Sequence, residues 1–176
     1  MINIISAIGS IGTFLMALFY FISVSVQLYQ MKIGFIPALG FNQVTLELDD
    51  ENKLSMNNMD VNHSGHQDYL KLYNLGGGAA KKIKIELSLD KNNIIQEKFL
   101  NFLPSKESYF LPMNKKVYEE LESTIQNNGY ETNLHIKLSY YHNVSRKQQI
   151  INLKAKLDEF NSYENKDIYE LQFIPN

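Results

Sequence analysis

The sequence IKIELSL, residues 83–89, decides the fold class of this chain, because apolar and polar side chains alternate along its whole length. Its odd-numbered positions are apolar and its even-numbered positions are polar. Successive side chains of a β-strand point to opposite faces of a sheet, so the pattern predicts a strand with one buried and one hydrated face. Half-buried strands of this kind are typical of antiparallel sheets.

The same alternation recurs through the C-terminal part of the chain. It predicts further strands at 44–49, 69–73, 134–140, 151–157 and 169–173, and shorter apolar runs add strands at 94–100 and 108–111. Seven or eight strands in roughly 145 residues predict a mainly β domain, built as an antiparallel immunoglobulin-like β-sandwich. A small closed barrel is the alternative architecture.

One short helix is predicted between these strands. Asn114 suits the N-cap position, and Val117, Leu121 and Ile125 repeat at the spacing of one helix face. The sequence NNG at 127–129 then supplies a stop signal.

The first 31 residues differ from this domain, because they contain no charged side chain. About 20 apolar residues cross the hydrocarbon layer of a bilayer, and a helix satisfies its own backbone polar groups there. The segment therefore predicts a single transmembrane helix in contact with membrane lipid. A cleaved signal peptide is the closest alternative, but no basic residue precedes the apolar run and no small-residue cleavage pattern follows it.

Three regions follow from this change in composition: a transmembrane helix at 1–31, a juxtamembrane connector at 32–42 and a β-sandwich domain at 43–176. Lys32 is the first charged residue, and positive residues beside a membrane helix tend to stay in the cytoplasm. We therefore expect a single-pass protein of a cell membrane whose soluble domain is cytoplasmic more readily than extracellular.

Small residues recur along the predicted membrane helix. Gly9, Thr13 and Ala17 are four apart, with Ser6 and Ser10 beside them. Rows of small residues let two helix backbones approach closely in lipid, so this row predicts a homo-oligomer formed through the helix. Alternatively, the row reflects the general abundance of small residues in membrane helices.

Composition excludes several functions. The chain has 17 Lys+Arg against 19 Asp+Glu, a net charge of −2, and Arg146 is its single arginine. A general nucleic-acid binder needs a basic surface, so no nucleic-acid partner is expected. Without cysteine there is no disulfide, thiolate zinc site or cysteine nucleophile, and no cofactor is expected.

A glycine cluster lies in the stretch LYNLGGGAAKKI, residues 72–83. A phosphate loop would need GxxxxGK followed by Ser or Thr at the start of a helix, whereas here two alanines and a predicted strand follow Gly78. The structural interpretation is that Asn74 ends one strand and that the glycines adopt positive φ where a side chain would clash. Ala80 then enters the next strand.

The spacing of Asn74, Gly76, Gly78 and Ala80 resembles the Asn-x-Gly-x-x-x-Ala signature between adjacent strands of bacterial immunoglobulin-like domains, the CARDB-like group included. The chain is also similar to uncharacterised bacterial proteins in which one N-terminal membrane helix precedes such a domain. The resemblance implies a non-catalytic sandwich used for adhesion, scaffolding or partner binding, and it transfers no catalytic residue.

Other groups of reactive residues lack the spacing that chemistry needs. The sequence HSGH at 63–66, with Asp68 nearby, supplies too few ligands for zinc, and DDEN at 49–52 lacks the ligand spacing of an EF-hand. No GxSxG nucleophile motif is present. We therefore expect no catalytic residue, no metal site and no enzyme activity.

Eleven tyrosines fall largely in or beside the predicted strands, among them Tyr69, Tyr73, Tyr140, Tyr141 and Tyr163. Outward tyrosines suit a binding face, although tyrosine is also simply a good strand residue. The leading hypothesis is a membrane-anchored, non-catalytic β-sandwich that binds or scaffolds a protein partner beside the bilayer. The alternative is an oligomeric membrane effector whose soluble domain senses a ligand and whose helices perturb the membrane.

Overall fold

A computed structural model describes residues 2–49, 53–58, 69–89, 93–127, 129–163 and 166–175. These residues form two helices and ten strands, in the order α1 (Ile2–Gly34), β1 (Leu39–Phe41), β2 (Val44–Asp49), β3 (Leu54–Asn58), β4 (Tyr69–Asn74), β5 (Ala80–Leu89), β6 (Asn93–Leu103), β7 (Ser108–Pro112), α2 (Lys115–Gln126), β8 (Glu131–His142), β9 (Ser145–Tyr163) and β10 (Lys166–Pro175).

Helix α1 is long and apolar enough to cross a membrane. Within the candidate span Asn3–Gly34, an 18-residue window has a mean hydropathy of 2.0, and none of that window is buried inside the protein. The hydroxyl groups of Ser10 and Thr13 each donate to the carbonyl oxygen four residues earlier, at 2.9 Å, so these polar groups are satisfied within the helix. The helix ends at Gly34, three residues beyond the predicted boundary at 31.

The strands form two antiparallel sheets. One has seven strands in the order β3-β2-β10-β9-β8-β5-β6, and the other has three in the order β1-β4-β7. The predicted mainly β, antiparallel fold with an N-terminal apolar helix and one further short helix is confirmed. Ten strands are present where seven or eight were predicted, and two short strands, β1 and β3, account for the difference.

The two short strands carry little alternation. Strand β1 has three residues with Gly40 in the middle, and it lies within the segment predicted as a connector. Strand β3 has only Leu54 and Met56 as apolar residues before two asparagines. Both form because they pair with a better-patterned neighbour, β1 with β4 and β3 with β2.

A single hydrophobic core joins the two sheets and α2. Leu70, Leu72 and Leu111 of the three-stranded sheet are fully buried in the same cluster as the inward side chains of the seven-stranded sheet, such as Ile85 and Leu138. Each buried leucine or isoleucine contributes about 1.5–3 kcal/mol to stability. The core therefore fixes the separation of the sheets.

Helix α2 closes one side of the core with the predicted face. Val117, Leu121 and Ile125 are its buried residues. The Asn114 carboxamide oxygen accepts from the Val117 backbone N–H at 3.2 Å, which is the predicted N-cap, and Asn127 is the C-cap. Asn128, in the predicted stop signal, lies outside the described residues.

Candidate functional site

The glycine loop, residues 76–78, is pressed against the C-terminal end of α1 and the chain that follows it. A Cβ atom added at Gly77 would overlap the carbonyl oxygen of Gly34, and one added at Gly78 would overlap that of Phe35. At Gly76 it would lie 2.6 Å from the carbonyl carbon of Pro37 and closer still to neighbouring backbone atoms. Only glycine permits this close backbone approach, so the glycine loop packs directly against the backbone at the helix end.

Asn74 lies at the centre of this junction and its side chain is fully buried. Its Oδ1 atom accepts hydrogen bonds from the backbone N–H groups of Ala38 and Gly76, both at 3.2 Å. Its Nδ2 group donates to three backbone carbonyls, those of Gly78 at 2.8 Å, Pro104 at 2.9 Å and Leu103 at 3.2 Å. One carboxamide thus bonds five backbone groups from three segments of the chain at this corner of the fold.

Backbone bonds complete the junction around Asn74. The Leu75 N–H donates to the Ala38 carbonyl at 2.9 Å, and the Lys106 N–H donates to the Asn74 carbonyl at 2.8 Å. The Ser105 hydroxyl donates to the Gly76 carbonyl at 2.5 Å. Three segments distant in sequence, 34–38, 74–78 and 103–107, are therefore tied into one unit, which we call the junction.

Asn74 ends β4 and Ala80 begins β5, which agrees with the structural interpretation of the motif. The predicted positive φ of the glycines is wrong. No glycine of the described chain has a positive φ. The left-handed conformation falls instead on Lys82, at φ 48°, and Lys106, at φ 62°. The glycines are required by the backbone of another segment, while Ala80 enters β5 fully buried and pairs with Leu103.

The row of small residues on α1 has an open surface. Thr13 is exposed, and its hydroxyl is bonded to the Gly9 carbonyl of its own helix. A Cβ at Gly9 would have nothing within 4 Å, and Ala17 is exposed as well. This face of the helix is thus free within a single chain.

A second surface lies on the outer face of the seven-stranded sheet. Neighbouring strands align Ile150, Ser139, Lys84 and Phe99 in one row across β9, β8, β5 and β6. Phe99 is 63% exposed and Ile150 is 54% exposed. We call these four residues the outer row.

Ion pairs hold Lys84 of the outer row in place. The Lys84 ammonium lies 2.6 Å from Glu86 Oε1, 3.1 Å from Glu97 Oε2 and 5.5 Å from the centre of the Phe99 ring. The hydrogen bond from Lys84 lowers the pKa of Glu86, and the bonds to Glu86 and then Glu97 raise the pKa of Lys84. The network holds Phe99 against a fixed cation, which is a favourable geometry for an aromatic ring.

The tyrosines divide between core and surface. Tyr140 is only 6% exposed, and burial raises its pKa, whereas Tyr141 is 37% exposed. Tyr69 and Tyr73 are half-buried on the outer face of the three-stranded sheet, where the Lys71 ammonium lies 4.9 Å from the Tyr73 ring centre. The side chain of Tyr163 lies outside the described part of the structure.

The histidine and carboxylate groups considered as metal ligands in the sequence form no metal site in the part of the chain that the structure describes. His63, His66 and Asp68 lie outside the described residues, as do positions 50–52. Among the residues that the structure describes, no group of three or more His, Asp or Glu side chains is arranged to hold a metal ion. His135 is half-buried in β8, and His142, the last residue of the same strand, is buried.

Comparison with protein-family models, with curated proteins and with solved structures finds no match to this chain. The resemblance of Asn74, Gly76, Gly78 and Ala80 to the CARDB-like signature is neither supported nor opposed by these comparisons, and it stays a prediction.

Proposed function

We propose that this protein is a membrane-anchored, non-catalytic binding or scaffolding module whose immunoglobulin-like β-domain works directly beside the bilayer. The observation that carries the proposal is the junction, in which the glycine loop seats the end of the apolar helix and Asn74 bonds the connector at Ala38. A domain on a flexible linker would need no such contacts. A domain fixed on its helix gains a high local concentration toward membrane partners.

The proposed topology is single-pass with a cytoplasmic β-domain. Helix α1 has 33 residues, and at 1.5 Å per residue it is about 50 Å long, slightly more than a bilayer with its headgroups. Lys32 lies in its last turn, next to the junction. A cation at this position favours the cytoplasmic side.

The outer row is the proposed surface for a protein partner. Its two exposed apolar side chains, Phe99 and Ile150, flank a lysine that is already paired with carboxylates. Apolar and aromatic anchors within a polar surround are the usual composition of a binding hot spot. The braced Lys84 also limits the side-chain entropy that binding would cost.

The test has two parts and uses the full chain in its native membrane. Alkaline carbonate extraction should leave the chain in the membrane fraction. A photo-crosslinking amino acid placed at Phe99 should then give a discrete adduct with one protein, and the same group at Lys116, on the exposed side of α2, should not. Recovery of the chain in the aqueous fraction contradicts the anchor, and equal labelling from both positions contradicts the outer row as a binding surface.

The second candidate function is the oligomeric membrane effector, favoured by the open small-residue face of α1. Helices that associate through Gly9 and Thr13 would respond to the β-domain, because the junction ties the helix end to it. Expression of the full chain should then depolarise cells, and Gly9→Ile with Thr13→Ile should abolish the effect. Unchanged membrane potential under every inducing condition would contradict this function.

A further inference from the structure

The end of the β-domain that carries the junction, which we call the proximal end, is built from four segments: 32–43, 74–82, 101–108 and 140–147. Lys81 of β5 pairs with Phe102 of β6 on one side and with Tyr141 of β8 on the other. Because β5 begins just after the glycine loop, these pairings bring the hairpin between β8 and β9 to the same end of the sheet as the end of α1.

The proximal end is strongly basic. In sequence, its four segments contain five lysines, one arginine and one glutamate, a net charge of +5 within a chain whose net charge is −2: Lys32, Lys81, Lys82, Lys106, Lys147, Arg146 and Glu107. The rest of the chain therefore carries a net negative charge. The proximal end therefore attracts an anionic partner, whereas the rest of the surface repels one.

An open cleft of about 360 Å³ lies at the proximal end and is lined by Lys81, Lys82, Tyr141, His142, Asn143 and Ser145. Neither lysine forms an ion pair with any side chain in the described ranges. The Nδ1 atom of His142 accepts from the Val144 N–H at 3.3 Å, which leaves the ring proton on Nε2 as a donor. The cleft therefore offers cations and neutral donors to an anion.

The backbone at this cleft is held in an unusual conformation. Lys82 has a φ of 48°, and the register of β5 against β8 shifts between Lys81 and Lys84. A lysine in the left-handed region costs about 1–2 kcal/mol relative to ordinary backbone. The shift lets Ala80 and Ile83, three residues apart, both face the core, while Lys82 is exposed beside the cleft.

The cleft lies close to the level of lipid headgroups if α1 spans the bilayer, as proposed above. The helix end at Gly34 contacts Gly77, and Lys81 follows Gly78 by three residues, about 10 Å along extended chain. Leu75, at the edge of the glycine loop, is 75% exposed. An exposed apolar residue beside a basic surface is the arrangement that binds the boundary between headgroups and acyl chains.

We propose that the cleft at Lys81 and Lys82 binds the phosphate-bearing headgroup of an anionic membrane lipid, with Leu75 inserted beside it. This inference rests on the proposed membrane anchor and goes beyond it, since it gives the β-domain a lipid ligand of its own. Anionic lipid is concentrated in the cytoplasmic leaflet, in agreement with the proposed side of the domain.

The experiment uses the full chain reconstituted in phosphatidylcholine vesicles that contain spin-labelled lipid. The ratio of motionally restricted phosphatidylglycerol to phosphatidylcholine label gives a relative association constant. We expect selectivity for phosphatidylglycerol, reduced by about fivefold for each lysine removed in Lys81→Gln and Lys82→Gln. Lys115→Gln with Lys116→Gln, at the exposed start of α2, is the matched control and should leave the ratio unchanged.

The outcomes distinguish failure of the lipid site from failure of the membrane anchor. Failure of the wild-type chain to float with the vesicles after carbonate treatment overturns both the anchor and the lipid site. A chain that floats but shows the same selectivity with and without Lys81 and Lys82 overturns the lipid site alone. A cleft that binds inorganic phosphate in solution, in a wild-type chain that shows no selectivity for phosphatidylglycerol over phosphatidylcholine, takes free phosphate and not the lipid, and this also overturns the proposal.

Discussion

The carboxamide oxygen of Asn74 accepts a hydrogen bond from the backbone N–H of Ala38, which lies 36 residues earlier in the chain, at 3.2 Å. Through this bond the last residue of β4 is tied to the segment that leaves the membrane helix. Because the same side chain also bonds the glycine loop at Gly78, the helix end, the loop and the sheet corner share one polar centre. Loss of the Asn74 hydrogen bonds should therefore loosen the helix end, the glycine loop and the sheet corner together.

Asn74→Ala should destabilise the protein by about 3 kcal/mol, because the change leaves several buried backbone groups without a partner. Asn74→Asp should be at least as harmful, since it keeps the two accepted bonds but turns an acceptor toward three carbonyls. Denaturant unfolding of the full chain in detergent, followed by tyrosine fluorescence, measures both. Asn127→Ala, at an exposed helix C-cap, is the control and should cost far less. A stable Asn74→Asp variant would contradict the donor role of Nδ2.

Gly78→Ala should separate the glycine loop from the helix end, because the new methyl group would occupy the position of the Phe35 carbonyl oxygen. Overpacking of this kind costs about 1–3 kcal/mol when the backbone must move. Limited proteolysis of the full chain in membranes should show faster cleavage in the 34–38 segment. Gly40→Ala is the matched control, because a Cβ there meets nothing within 4 Å. Equal cleavage rates in the two variants would mean that the loop does not seat the helix.

Local patterns predicted the elements of this fold well, since alternation and helix spacing report burial directly. The regular alternation at 83–89 and the Val117, Leu121 and Ile125 face both correspond to buried core residues. Strand β1 could not be predicted, because three residues around Gly40 form a strand only through pairing with β4.

The candidate site could be predicted only in part. The motif itself marked Asn74 and the glycines, but the segment that requires glycine lies about 40 residues away, and nothing local encodes that contact. The cleft was missed for a similar reason, since Lys81 and Tyr141 meet only through strand pairing. Its one local signal was the pair of lysines that two alanines separate from the glycine cluster.

Glu86→Gln should lower stability at neutral pH and lose its effect in acid. The hydrogen bond from Lys84 holds the pKa of Glu86 below its ordinary value of 4.5, so the folded state binds the proton less tightly than the unfolded state. The stabilisation is therefore fully present above pH 4.5 and disappears as the pH falls through the lowered value. It also fades in strong alkali, as the pH rises through the raised pKa of Lys84.

The measurement for Glu86 is the difference in denaturation midpoint between wild type and variant at pH 7 and at pH 3. The difference matters more than either midpoint, because other carboxylates also titrate in this range. Glu119→Gln, in an exposed helical pair with Lys115, is the control and should change the midpoint little at either pH. A difference that persists unchanged at pH 3 would show that Glu86 acts by packing and not by its charge.

Self-association of α1 is the last expectation, and its physical basis is the unobstructed row at Gly9, Thr13 and Ala17. Because the Thr13 hydroxyl is already bonded to the Gly9 carbonyl, the row presents small, satisfied groups to a neighbouring helix, and close packing can replace the missing hydrophobic drive. Gly9→Ile with Thr13→Ile should therefore reduce the oligomer in mild detergent to a monomer, measured by light scattering. Ala7→Ile is the control. It adds one isoleucine at a position more than roughly 100° round the helix from both Gly9 and Thr13, and it should leave the oligomer intact. A wild-type chain that is monomeric, or an oligomer that survives the double change, would remove the role of this row and with it the main support for the membrane-effector function.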